Sequence, residues 1–202
     1  MSGITFERPG LLNKPHDGLP LVNSSRMAFM LYIGLTIMLF AGLFTGWFVL
    51  RGTHDEWPPA GSPSFELVNI LPHTALLILS VFFMRFAEKR SKKADYPHLR
   101  QWVFYSLLAS ILFLFAFSLE WYRLISGGLT MDGVFGSIYY LVTGVFIAHY
   151  IGGVYAQTRF VRRNATVPLI LKHNVGFSNS VSWHYLMLAI WGCIVYLMYY
   201  AK

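Results

Sequence analysis

The chain has 202 residues, of which 55% are hydrophobic, 17% aromatic and only 12% charged. Soluble domains carry about a quarter charged residues, so too little polar surface is present to clothe a particle in water, and lipid is the expected solvent. The formal charge of +7 falls almost wholly in two short connections, Arg85 to Arg100 and Arg159 to Lys172; that is the loop asymmetry of a membrane protein rather than a nucleic-acid stripe, and no nucleic-acid partner is expected.

Residues 1–25 hold Pro9, Pro15 and Pro20 among mixed charges with no apolar core. They read as a surface tail and not as a cleavable signal peptide. From 26 to 202 the chain reads as one transmembrane domain. A helix rising 1.5 Å per residue needs about 20 residues to cross the hydrocarbon core, and five apolar runs approach or exceed that length: 27–50, 66–87, 102–125, 134–156 and 182–200. The fold class is therefore all-α, a polytopic membrane bundle of five transmembrane helices. Each run ends in punctuation: Arg51-Gly52 with Trp57-Pro58-Pro59, the charges of Glu88 to Asp95, Ser126-Gly127-Gly128, and Arg159 to Asn164.

Lys and Arg crowd the tail, the second connection and the fourth, while the first and third offer only Arg51 and Arg123. By the positive-inside rule the N-terminus is cytoplasmic, or on the matrix side in a mitochondrion, and the C-terminus is outside. Trp47, Trp57, Trp102, Trp121 and Trp183 lie near predicted ends, where amphipathic rings favour the headgroup level. Gly34, Ala41 and Gly42 in the first span, and Gly136, Gly144, Gly152 and Gly153 in the fourth, mark places for close helix approach. The fourth span is expected to be the most closely packed. Cys193, in the last run, has no partner cysteine and reads as a small core or lipid-facing residue.

Intramembrane polar groups are costly, so each is a functional candidate until packing explains it. His73 lies about two turns in from the outer face, roughly 10 Å. His149 and His184 fall on the inner side, so the three histidines cannot share a metal. A haem pair needs facing axial histidines at one depth and a diiron site needs Glu-x-x-His pairs; neither is present. Interhelical hydrogen bonds or headgroup contacts are the expected roles. Pro72 is expected to kink its helix and free a carbonyl beside His73. Glu120, three residues before Arg123, reads as half of a local ion pair. Glu66 opens the second span, where a negative charge suits the helix dipole. Glu88, with Arg85, Lys89 and Arg90, reads as solvated topogenic charge or as a collector of protons or headgroups. No nucleophile-base pair, phosphate loop or cysteine cluster appears.

Two stretches are more specific. Glu120-Trp121-Tyr122 followed by Thr130-Met131-Asp132-Gly133-Val134-Phe135-Gly136-Ser137 resembles a pattern of cytochrome oxidase subunit III, and it continues into Thr143-Gly144-Val145-Phe146-Ile147-Ala148-His149. Trp183-His184-Tyr185 and Leu67-Val68-Asn69 are similar to that family's Trp-His-Phe and Leu-Leu-Asn. The match covers roughly 26–202 and resembles a five-helix bacterial form that lacks the first two of seven helices. Three departures stand out: Phe146 replaces the first histidine of the family's His-Gly-Leu-His, Met187 replaces an acidic residue, and an aromatic is displaced to Trp191. Glu88 lies close to a cytoplasmic-side glutamate of mitochondrial members.

The resemblance implies a subunit without haem or copper in the inner membrane of a bacterium, less readily of a mitochondrion. It implies packing on subunit I, with subunit II and further respiratory subunits nearby, and haem and copper on those partners. It also implies phospholipid in a cleft and a cytoplasmic face near a proton-uptake entrance. His149, Trp183, His184, Arg85 and Glu88 are the lipid or cleft candidates, and Asn69, His73, Glu120 and Thr143 the interhelical polar ones. A small transporter or channel is the competing class and would predict inverted repeats and broken helices. An accessory subunit of another respiratory complex is the third.

Overall fold

Every long apolar run of the sequence forms a helix. A computed structural model of the chain describes residues 24–63, 65–93, 95–166 and 175–200. Among these there are five α-helices: α1 (Ser24–Gly52), α2 (Leu67–Lys92), α3 (Tyr96–Ser126), α4 (Val134–Thr166) and α5 (Val175–Val195), the last running on into a π-helical turn, Tyr196–Tyr200. All five are long and apolar enough to cross a membrane. Residues 1–23 of the expected tail lie outside the described residues, and its last two positions already belong to α1.

The helices outrun the apolar runs. α3 starts at Tyr96, six residues before its apolar run, because Pro97 suits a first turn whose N–H groups have no partner within the helix. Asp95 precedes it as N-cap and ties the corner together: it accepts from Arg90 at 3.0 Å and from His98 Nδ1 at 2.8 Å. α3 ends in a Schellman motif. The Leu129 N–H reaches the Leu124 carbonyl at 3.0 Å, the Gly128 N–H reaches that of Ile125 at 3.0 Å, and Gly128 takes φ +93°, which favours glycine. The Thr-x-x-Asp-Gly stretch then folds back tightly. A side chain at Gly136 would collide with the Thr130 carbonyl. Ser137 Oγ donates to Met131, and Tyr140 OH to Leu129 at 3.0 Å.

α2 and α3 form the most extensive pairing, an adjacent hairpin joined by a three-residue turn. α5 packs on α1, α2 and α4, so it stands at the centre of the bundle. α1 is peripheral. Only 11% of its apolar window is buried, against 50% in α4 and in α5. Gly34 and Gly42 have no neighbour within 4 Å of a built Cβ, so the close approach expected there is absent: these positions face outward. In α4 another helix approaches closely at Gly144 and Gly153, whereas Gly136 is crowded by the connection preceding its own helix and Gly152 is open.

The main core is aromatic. Trp191 lies 5.5, 5.3 and 5.2 Å from Phe113, Phe117 and Phe146, and its indole N–H donates to Thr74 Oγ1 at 3.0 Å, tying α5 to α2. Phe146 also stacks on Tyr150. Trp47 and Trp183 are buried in this core, each packed against an aromatic neighbour, Trp57 and Tyr150 respectively. A smaller cluster of Met84, Ala87, Leu99, Val103, Phe177 and Val181 closes the end bearing the α2–α3 turn. The outward faces of the helices carry Leu35, Met38, Phe82, Phe115 and Leu141 exposed, as lipid-facing surfaces do.

Candidate functional site

His184 anchors the most connected polar group of the bundle. Its Nδ1 lies 2.8 Å from the Ser180 carbonyl, an acceptor, so Nδ1 carries the hydrogen and Nε2 faces Ser106 Oγ at 3.4 Å. The Ser106 hydroxyl donates to the Ser80 carbonyl at 2.8 Å, and that of Ser110 to the Ser106 carbonyl at 2.9 Å. Tyr150 OH donates to Ser110 Oγ at 3.0 Å and has Ser80 Oγ at 3.4 Å. One polar group from each of α2, α4 and α5, with two from α3, thus meets in the buried interior. Every hydroxyl proton in it has an acceptor, so the arrangement ties the helices to one another.

Beside His184 a cavity of about 420 Å³ opens among α1, α4 and α5. Phe29 and Tyr32 of α1, Gly152 and Gly153 of α4, and Trp183 and His184 of α5 line it. Trp183 lies flat where a Gly153 side chain would stand. The Trp183 indole N–H is buried and has no hydrogen-bond partner. His149 is adjacent and does not line the cavity. Its Nδ1 is 2.9 Å from the Val145 carbonyl of its own helix, while its ring stacks on Tyr32 at 6.2 Å and meets Phe40 edge-on at 5.8 Å. His149 is therefore a packing partner of α1.

Arg85 and Glu88 lie apart from the cavity, at the α2–α3 end. The Arg85 guanidinium and the Lys92 ammonium both hold Glu88, at 2.9 and 2.8 Å. At the opposite end, Glu120 is 4% exposed and receives two hydrogen bonds from Arg123, at 2.8 and 2.7 Å, within one helix. His73, 3% exposed, points between Phe117 and Trp191, and its Nε2 has no hydrogen-bond partner. Thr143 donates to the Tyr139 carbonyl of its own helix at 2.7 Å. Asn69 is half-buried in the first turn of α2.

The structure brings Trp183 and His184 together at one cavity with His149 close by, and leaves the other candidates dispersed. Sequence reasoning missed Ser80, Ser106, Ser110, Tyr150 and Gln157. The i, i+4 spacing of Ser106 and Ser110 on one face of α3 was the available signal. Among the described residues, no three His, Cys, Asp or Glu side chains gather closely enough to hold a metal ion.

Five helices long and apolar enough to cross a membrane, packed around an interior polar group, make this a multi-pass membrane protein. The family model described as cytochrome c oxidase subunit III matches residues 14–202, and the chain belongs to that family. A probable cytochrome c oxidase subunit 3 of Nocardia farcinica is 29% identical over 195 residues, covering 91% of this chain and 88% of the relative. That of Mycobacterium leprae is 27% identical, covering 95% and 91%, and the cytochrome c oxidase subunit 3 of Thermostichus vulcanus is 28% identical, covering 80% of each chain. The chain is thus an accessory subunit of a multi-subunit oxidase complex in a membrane.

Proposed function

We propose that this chain is a non-catalytic subunit III of a bacterial terminal oxidase, in the cytoplasmic membrane with its N-terminus inside. It packs on subunit I, with subunit II in the same assembly, and haem and copper stay on those partners. It holds phospholipid in the cavity among α1, α4 and α5 and steadies the proton-uptake side of subunit I. The observation that carries the lipid assignment is that cavity. Aromatic and glycine walls suit an acyl chain. The basic C-terminal end of α2, with Arg85, Lys89, Arg90 and Lys92, favours the cytoplasmic leaflet.

The test is to purify the tagged chain in mild detergent and record the proteins and chromophores that accompany it. Haem a or haem o spectra with subunits I and II are expected. A chain that emerges alone and conducts ions in liposomes would overturn the assignment. In the purified complex, His149→Ala and His184→Ala should leave iron and copper unchanged and lower retained phospholipid or subunit association, whereas loss of stoichiometric metal would refute it.

A further inference from the structure

A second opening lies between α3 and α4 and shares no residue with the cavity beside His184. It is a groove of about 600 Å³, lined by Pro97, Arg100, Gln101, Phe104 and Tyr105 of α3 and by Val161 of α4. Its floor is fixed. Gln157 donates to the Val103 carbonyl at 3.3 Å, pinning α4 to α3 one helical turn before Val161. Three of the cations around the α2–α3 turn are already matched: Arg85 and Lys92 share Glu88, and Arg90 holds Asp95. Arg100, exposed at the groove, forms no ion pair among the described residues.

Depth separates the two chemistries of this groove. Phe104 follows Arg100 by four residues, about 6 Å along the helix axis at 1.5 Å per residue. Leu108, Ile111, Leu112 and Phe115 extend the same exposed apolar stripe further along α3. We infer that the groove binds one anionic phospholipid, its phosphate held by Arg100 and an acyl chain laid along Phe104 and the stripe beyond it. An unmatched cation at one end of an apolar track matches the charge and the apolar length of such a molecule. A soluble phosphate would use the cation alone and leave the track bare.

The test uses the intact oxidase complex in nanodiscs of phosphatidylcholine with a rising fraction of phosphatidylglycerol, with phosphatidylglycerol retained per complex read by native mass spectrometry. One cation at an anionic membrane surface corresponds to about fivefold in affinity. Arg100→Gln should therefore weaken retention of one phosphatidylglycerol by about fivefold, with Arg100→Lys restoring most of it. Phe104→Ala should also weaken it, because the track is shortened. Lys93→Gln, which removes an exposed cation outside the groove, should leave it unchanged. The inference is overturned if Arg100→Gln retains as much phosphatidylglycerol as the parent. It is equally overturned if Lys93→Gln loses as much as Arg100→Gln, if inorganic phosphate displaces the lipid, or if a partner subunit's side chain fills the groove in the complex.

Discussion

Replacing Gly153 with alanine places a methyl group inside the Trp183 indole, the nearest atoms being ring carbons. Either the ring leaves its place or α4 and α5 move apart. In water, a buried tryptophan would represent about 4–6 kcal/mol, from roughly 150–250 Å² at about 25 cal/mol per Å². That term largely vanishes here, because a ring expelled into lipid tails stays in an apolar medium. What remains is overpacking, about 1–3 kcal/mol, partly offset by about 0.5–1 kcal/mol for replacing glycine in a helix. The net expectation is a loss of about 0–2.5 kcal/mol, centred near 1, from the difference of those two ranges. The assay is unfolding by sodium dodecyl sulfate in mixed micelles, followed by helical circular dichroism. Gly152→Ala is the control, since that position has no neighbour within 4 Å, and it should be neutral or stabilising. Adding Trp183→Ala should remove the clash, so the double variant should lose less than the sum of the two single losses, with a coupling of about 1 kcal/mol. Equal behaviour of Gly153→Ala and Gly152→Ala, or strict additivity in the cycle, would refute the steric account.

Tyr150→Phe removes the hydroxyl that meets Ser110 and Ser80 and should destabilise the bundle by about 0.6–1.7 kcal/mol, the range of interhelical hydrogen bonds in membranes, in the same assay. Arg123→Met leaves the Glu120 carboxylate buried without its bidentate partner. It should cost about 3–5 kcal/mol, and adding Glu120→Gln should recover much of that; a double variant no better than the single would refute the pairing. The His98 hydrogen bond, with Arg90 adding to it, holds the Asp95 carboxyl below its ordinary value. A carboxyl depressed on folding stabilises at pH above the unfolded value, about 3.9, and that contribution fades as pH falls through the lower folded value. Amide exchange at Asp95 and Leu99, whose N–H groups close the turn, should therefore quicken relative to more distant amides as pH drops below about 4. Asp95→Asn should abolish that added sensitivity.

The spans were legible because each crossing needs an uninterrupted apolar run, and the runs are there. Their overhangs were not, because Tyr96 to Gln101 and Gln157 to Thr166 are polar segments, braced by contacts such as those of Asp95 with Arg90 and His98 and of Gln157 with Val103. Trp183 and His184 were visible as a motif and Gly153 as a close-approach position. That the indole lies on the glycine required knowing which helices adjoin. Ser80, Ser106, Ser110 and Tyr150 stayed hidden for the same reason: a hydroxyl in an apolar helix usually bonds its own backbone, as Thr143 does, and only tertiary contact shows when it also reaches across. The departures at Phe146, Met187 and Trp191 gain a physical account. All three are buried, and Phe146 and Trp191 complete an aromatic centre in which an imidazole or carboxylate at position 146 or 187 would need a partner.

The peripheral seat of α1 has a consequence for biogenesis. Its neighbours in the bundle are α4 and α5, the last helices to leave the ribosome, whereas α2 and α3 can pair as soon as they are made. At about 5–20 residues per second, the 123 positions from Gly52 to Val175 take roughly 6–25 s to synthesise. Until α4 (Val134–Thr166) is made the first helix has neither companion, and through the rest of that interval it still lacks α5, so its seat in the bundle is completed last.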